Sequence, residues 1–232
     1  MYLMRSRIHR KENSYSRIYI YTKNTHYNTT IAMATDITRV YICGPHSTGK
    51  TTLLNDLRPH VPELHVLHEV ARGIIKSHGW CRDDYVPDKH PEVFKQLNVE
   101  ILEAQIKLER EYSEQGKHFI CDRAIDPIVY GQYYVGPEAR DVMLGLPGLS
   151  GWLESLRRSL VILVAPHHEI IKDDSIRLTS SIEELRDFYN VFAAELNHQK
   201  IPYVALYDLD RKVRVERVLN ELKKFQTSRT GF

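Results

Sequence analysis

The sequence predicts an α/β fold, a mainly parallel sheet covered by helices on both faces and opened by a glycine-rich turn. Three observations predict it. From Thr38 onward, short apolar runs of strand length alternate with amphipathic stretches, and such alternation requires crossover connections and hence parallel pairing. The first run, Val40-Tyr41-Ile42-Cys43, leads into Gly44-Pro45-His46-Ser47-Thr48-Gly49-Lys50-Thr51, a Gly-x-x-x-x-Gly-Lys-Thr pattern set between strand and helix. The chain has 232 residues, 42% hydrophobic and 27% charged, enough for one well-cored domain of about 200 residues with some excess.

The elements follow in order. Lys50 to Leu57 reads as a helix, and Pro62 precedes a second apolar run at Leu64 to Leu67. Glu69 to Lys76 reads as helical, and Arg82 to Lys89 as a polar loop. Pro91 suits the first position of a helix, where its missing N–H costs nothing. On that helix, the longest, Phe94, Leu97, Ile101, Ala104, Leu108 and Tyr112 recur at three- and four-residue steps and share a face. Gly116 ends it, and His118-Phe119-Ile120-Cys121 is the third strand. Pro137 to Leu144 and Gly151 to Arg158 are short helices split by Pro147 and Gly148. Leu160 to Val164 is the fourth and most apolar strand, followed by a polar segment from Pro166 to Ser180. Ser180 with Glu183 makes a capping-box pattern for a helix with Ile182, Leu185, Tyr189, Phe192 and Leu196 on its apolar face. Tyr203 to Tyr207 is the fifth strand and Val213 to Phe225 the closing helix.

Residues 1–36 differ in composition. Arg5, Arg7, Arg10, Lys11, Arg17 and Lys23 face only Glu12 and Asp36, among many Tyr, Asn, Ser and Thr. The segment reads as a basic, disordered extension outside the fold, ahead of a domain at 37–232, with Met33 as an alternative start. A transit peptide has a similar composition, which would make the protein mitochondrial. A net charge of +2 gives no argument for nucleic acid as a partner. Cys43, Cys81 and Cys121 show no paired spacing, which fits a reducing compartment. No apolar stretch approaches the roughly 18 residues that span a bilayer. The expectation is a soluble, cytoplasmic protein, with contact to a membrane surface possible only through the basic N-terminus.

The glycine-rich turn carries the strongest chemistry. Gly44 and Gly49 permit backbone angles that point consecutive amides at phosphate oxygens. The following helix adds the partial charge of its N-terminus, and Lys50 supplies a full charge to the outer phosphates. Thr51 offers a hydroxyl to Mg²⁺. The expected ligand is therefore a nucleoside triphosphate, ATP with GTP as the alternative, bound with Mg²⁺.

Ligands of open parallel sheets sit beyond the carboxyl ends of the strands. After the second run comes His68-Glu69-Val70-Ala71-Arg72, and after the third Asp122-Arg123. Asp122 fits a second Mg²⁺ support, or alternatively a helix N-cap. Glu69 fits a base that orients an acceptor hydroxyl, or alternatively a first-turn helix acid. Arg72 fits a contact to substrate phosphate or carboxylate, or a solvated surface residue. The polar segment after the fourth strand has the composition of a lid, with Lys172 and Arg177 as cations that would arrive on closure. His167 and His168 are adjacent and have no third ligand, so they are not a metal site.

Taken together, Gly-Pro-His-Ser-Thr-Gly-Lys-Thr-Thr52, Glu69-Val-Ala-Arg72, Cys121-Asp-Arg-Ala-Ile-Asp-Pro-Ile-Val-Tyr130 and Asp173-Asp-Ser-Ile-Arg177 resemble the NadR-like AAA-type P-loop family. That family groups the ribosylnicotinamide kinase domain of NadR with eukaryotic relatives, one branch of which is associated with GTP and phosphoinositides. The resemblance spans about residues 38 to 225. It implies a five-stranded parallel sheet of the nucleoside and nucleotide kinase type, with Glu69 and Asp122 facing the active site and Arg177 in a lid. It extends the nucleotide-binding set to Thr52 and likens Asp122-Arg123 to the acidic-Arg element of deoxynucleoside kinases. The Asp-Pro-Ile-Val-Tyr stretch departs from the bacterial pattern. The expected activity is transfer of the terminal phosphoryl of ATP to a hydroxyl of a nucleoside-like small molecule. The alternative is a nucleotide-dependent, phosphoinositide-associated binding protein with little or no catalysis.

Overall fold

A computed structural model of the chain describes residues 37–170 and 181–230. The expectations for residues 1–36, for the lid cations Lys172 and Arg177, and for Ser180 lie outside the described residues.

Five strands form one sheet: β1 (Arg39–Cys43), β2 (His65–Leu67), β3 (Phe119–Asp122), β4 (Leu160–Val164) and β5 (Val204–Leu206). Their order is β2-β3-β1-β4-β5, and every pairing is parallel. β1 is central, and its Ile42 lies level with Asp122 of β3. Among the described residues eight α-helices alternate with the strands: α1 (Lys50–Leu57), α2 (Ala71–His78), α3 (Pro91–Glu114), α4 (Asp126–Tyr134), α5 (Pro137–Leu144), α6 (Leu149–Arg157), α7 (Ile182–His198) and α8 (Arg211–Thr230). Among the described residues, no helix is long and apolar enough to cross a membrane.

Strand residues alternate between two cores, as the two-residue repeat of a strand requires. Val40, Ile42, Ile120, Ile162 and Val164 face one side and pack with Leu53, Leu54 and Leu57 of α1 and with Val215, Val218 and Leu222 of α8. Tyr41, Cys43, Phe119, Cys121 and Leu163 face the other, with Leu102 of α3, Ile128 of α4, Trp152 of α6 and Phe188 of α7. Ala71, Tyr85, Phe94, Leu97 and Ile101 make a third cluster where α2 meets α3.

The structure corrects several boundaries. The predicted helix at Glu69 begins at Ala71, which leaves Glu69 in the connection after β2. Asp122 is the last residue of β3, not the first beyond it. The helix expected at Gly151 starts two residues earlier, at Leu149. On α7, Ser181 is the N-cap and its side chain accepts from the Glu184 N–H at 3.1 Å. Along α3 the buried face is broader than the predicted stripe. Leu102, Ile106, Asn98, Gln105 and Glu109 are buried, because the 24-residue helix packs against both the sheet and the third cluster.

α4 was not foreseen from the sequence. Its Val, Tyr and Gly content gives little intrinsic helicity, and tertiary packing decides the outcome. Ile128 and Val129 are fully buried, and Gly131 leaves room for the end of the Met143 side chain of α5.

Candidate active site

The phosphate loop runs from the carboxyl end of β1 to α1. Gly44 has φ +128, and a Cβ on it would lie 2.7 Å from the Val164 carbonyl oxygen of β4. Both the backbone angle and the close approach of β4 therefore require glycine. Gly49 and Ser47 are also left-handed, with φ of 80 and 57. Thr48 turns inward and donates to the Pro45 carbonyl at 2.9 Å. Lys50 is buried and its ammonium donates to the Gly44 and Pro45 carbonyls at 2.8 and 2.7 Å. Burial lowers its pKa to about 8, and Arg123 adds to this, while Asp126, Asp122 and Glu69 pull the other way. Thr52 is exposed on α1.

Thr51 and Asp122, 71 residues apart, come together: the Thr51 hydroxyl donates to an Asp122 carboxylate oxygen at 2.9 Å. The register of β1 with β3 produces this contact, by placing Asp122 level with the end of the loop's own strand. Asp122 does not cap α4, which begins four residues later at Asp126.

Beside the loop a pocket is lined by His46, Glu69, Arg72, Tyr85, Phe94, Asn98, Arg123, Asp126 and Tyr130, among others. It holds about 690 Å³ of empty space counting its open mouth, a size suited to a small molecule. Arg123 organises it. Its guanidinium meets Glu69 at 2.5 Å and Asp126 at 3.2 Å, and lies 5.6 Å from the Tyr130 ring centroid. Burial alone would lower its pKa, but Glu69, Tyr130, Asp126 and Asp122 prevail and hold it charged. Its Nε is buried and, among the described residues, has no hydrogen-bond partner.

The Arg123 backbone is strained, with φ of 112 in a region non-glycine residues avoid. Surrounding groups fix it in place. Its N–H bonds the Ile42 carbonyl at 3.0 Å, Asp126 accepts from the Ala124 N–H at 2.7 Å, and Gln105 of α3 donates to the Ala124 carbonyl at 3.2 Å. Gln105 is itself held by Glu109 at 2.9 Å, a buried carboxylate that also accepts from Tyr41 and Trp152. Burial raises the Asp126 pKa, which Arg123 and Lys50 oppose.

The sequence reading missed Asp126 and Tyr130. Both lie within the Asp-Pro-Ile-Val-Tyr stretch that stood out as a departure, and their four-residue spacing puts them on one face of a helix. His46, a loop residue expected at the triphosphate, turns its ring toward the pocket. It is buried, and its Nδ1 lies 3.2 Å from the Tyr130 hydroxyl on the pocket side. Arg72 is exposed at the pocket rim. Among the described residues, no three His, Cys, Asp or Glu side chains cluster as a metal site.

A family model described as an AAA domain matches residues 39–214. The chain belongs to this AAA domain family. Among solved structures, the AAA domain is similar to NadR in complex with NR, at 20% identity and a TM-score of 0.60, over 82% of this chain and 51% of that one. It is also similar to deoxyadenosine kinase from M. mycoides with bound dATP, at 16% identity and a TM-score of 0.58, over 80% and 100%. A third likeness is shikimate kinase from Acinetobacter baumannii in complex with shikimate, at 15% identity and a TM-score of 0.50, over 82% and 95%. The chain spans about half the length of the NadR structure it matches. No curated protein matches the sequence. The AAA domain thus has the P-loop kinase fold, and the resemblance drawn from its motifs holds.

Proposed function

We propose that this AAA domain is a small-molecule kinase that moves the terminal phosphoryl of ATP to a hydroxyl on a nucleoside-like acceptor. The observation that carries the reading is the juxtaposition of the phosphate loop with a pocket holding an Arg123–Glu69–Asp126 charge cluster. Loop amides and Lys50 would bind the phosphates. Thr51 and Asp122 fit Mg²⁺, because a hydroxyl and a carboxylate within 2.9 Å are hard oxygen donors and Mg²⁺ needs only one or two protein ligands beside phosphate. Bound there, the ion would neutralise charge on the phosphate oxygens.

The acceptor would lie in the pocket against Tyr85 and Phe94, with Glu69 accepting a hydrogen bond from the reacting hydroxyl. Arg123 holds the Glu69 carboxylate in an ion pair, so its role would be to place the hydroxyl more than to remove its proton. Phosphoryl transfer tolerates this, since its loose transition state asks more for positioning and charge stabilisation than for early proton removal. The Arg123 guanidinium is held charged, and its buried Nε offers a donor toward bound substrate.

Mixing the protein with Mg·ATP and a panel of nucleosides, and following phosphorylated product, tests the proposal. Transfer to at least one ribose-bearing compound is expected, and a panel with no product would overturn it.

The short Glu69–Arg123 contact favours a second reading, in which nucleotide is bound without transfer because the candidate base is neutralised. The two readings part on residues 1–36. A kinase beginning at Met33 keeps its activity, whereas a binding protein that docks on anionic lipid through Arg5 to Lys11 loses its target.

A further inference from the structure

From the geometry we infer that Arg214, on the closing helix, is a positioning residue for the phosphate loop. It is 4% exposed, and its guanidinium donates to the Thr48 carbonyl at 3.0 Å, across 166 residues of sequence. Thr48 O and Gly49 N–H belong to one trans peptide, in which carbonyl and amide point in opposite directions. Holding the carbonyl toward α8 therefore aims the Gly49 amide away from α8, into the loop. That amide comes just before Lys50, where a loop that reads phosphate through its backbone needs a fixed orientation.

The first turn of α8 is itself anchored. Arg211 pairs with Asp56 of α1 through two contacts, at 2.6 and 2.9 Å. Arg214 is thus mounted on a helix clamped to the helix that the loop begins. Its Nε is buried and, among the described residues, has no hydrogen-bond partner, although Asp208 and Asp56 supply negative charge nearby. A guanidinium used only for packing would be expected to have its donors satisfied. Positive charge beside a loop built for phosphate is favourable once the ligand arrives.

This inference rests on the reading of the loop as a triphosphate site. The test measures calorimetric binding of Mg·ATP and of Mg·tripolyphosphate to the full chain, to Arg214→Gln, to Arg214→Lys and to Lys50→Ala, with thermal melts of each. The expected result is a loss of about tenfold or more for Arg214→Gln, equal for both ligands, with partial rescue in Arg214→Lys. A loss for ATP alone would mean that Arg214 meets the base or ribose, and would overturn the inference. A fall in melting temperature with both affinities unchanged would reduce Arg214 to a packing role and also overturn it. If Lys50→Ala loses binding while the Arg214 variants do not, the loop reading stands and this inference falls. If the wild type binds neither ligand, both fall. Should the Arg214 variants not fold, the Nε–Hε resonance of Arg214 in the wild type decides. A shift on adding Mg·tripolyphosphate supports the role, and an unmoved signal overturns it.

Discussion

The phosphate loop and the pocket beside it meet at His46 but are built in opposite ways. The loop is one continuous stretch whose chemistry lies in its backbone. Its two lysine bonds go to its own carbonyls, and its shape comes from residues with positive φ at Gly44, Ser47 and Gly49. The pocket is made of side chains from the β2–α2 connection, α3, the end of β3 and α4, tied together by one guanidinium. A backbone site recognises what every triphosphate has in common. A side-chain site can change its ligand by exchanging single residues, so substrate identity should be decided in the pocket and not in the loop.

The largest effect expected is on the loop side. Lys50→Ala should cost about 100-fold or more in triphosphate affinity, the scale of a charge-assisted contact to phosphate. The domain should still fold, because the ligand-free fold disfavours the charged form of Lys50 and its two hydrogen bonds stay within the loop. Calorimetry and a melt of the same sample check both halves. Unchanged affinity would remove the phosphate-loop assignment.

On the pocket side, Glu69→Gln should leave nucleotide affinity intact and lower turnover with an identified acceptor by roughly 100-fold, the cost of losing a carboxylate that positions the reacting hydroxyl. A rate loss without a binding loss marks a group used in the transition state. If turnover survives, Arg123 and not Glu69 directs the acceptor. Asp122→Asn tests the boundary between the halves. It should weaken nucleotide binding about tenfold when Mg²⁺ is present and much less in its absence, since the carboxylate is expected to act through the ion. Equal losses with and without Mg²⁺ would assign Asp122 to holding Thr51 in place.

The same contrast explains what could be read in the sequence. The five strands, the loop and the Lys50 helix were legible because each is local: an apolar run, a glycine pair, a fixed spacing. Asp122 was legible because strand ends collect ligands in parallel sheets. Asp126 and Tyr130 were not, since they belong to α4, whose helix is stabilised by burying Ile128 and Val129 and not by its own propensity. Gln105 and Glu109 were hidden for a related reason. They occupy buried positions on α3 that a hydrophobic pattern treats as surface, and their purpose is visible only where they meet Ala124, Tyr41 and Trp152. The ring of His46 meets Tyr130, a partner 84 residues away that no local pattern announces.

The smallest effect separates the halves by pH. Lys50 has a folded pKa of about 8 against an ordinary value of 10.5. Between those values the unfolded chain binds the extra proton, so the stability of the ligand-free domain should rise with pH across this window. Triphosphate requires the charged ammonium, so its affinity should be complete below pH 8 and decline above it. The fall should be about fivefold from pH 8 to pH 9 if the bound state keeps the proton throughout. The two slopes have opposite sign, which no general alkaline loosening of the fold would produce. The buried groups nearby should stay silent in this window: burial holds the core thiols of Cys43 and Cys121 well above their usual range, and raises the hydroxyl of Tyr130 in the pocket to about 12. Calorimetry at pH 8 and 9 in buffers of different ionisation enthalpy would show proton uptake on binding. Lys50→Ala should abolish both the uptake and the pH slope of affinity. If the slope persists in that variant, the titrating group is elsewhere, and the burial of Lys50 does not control how the loop receives phosphate.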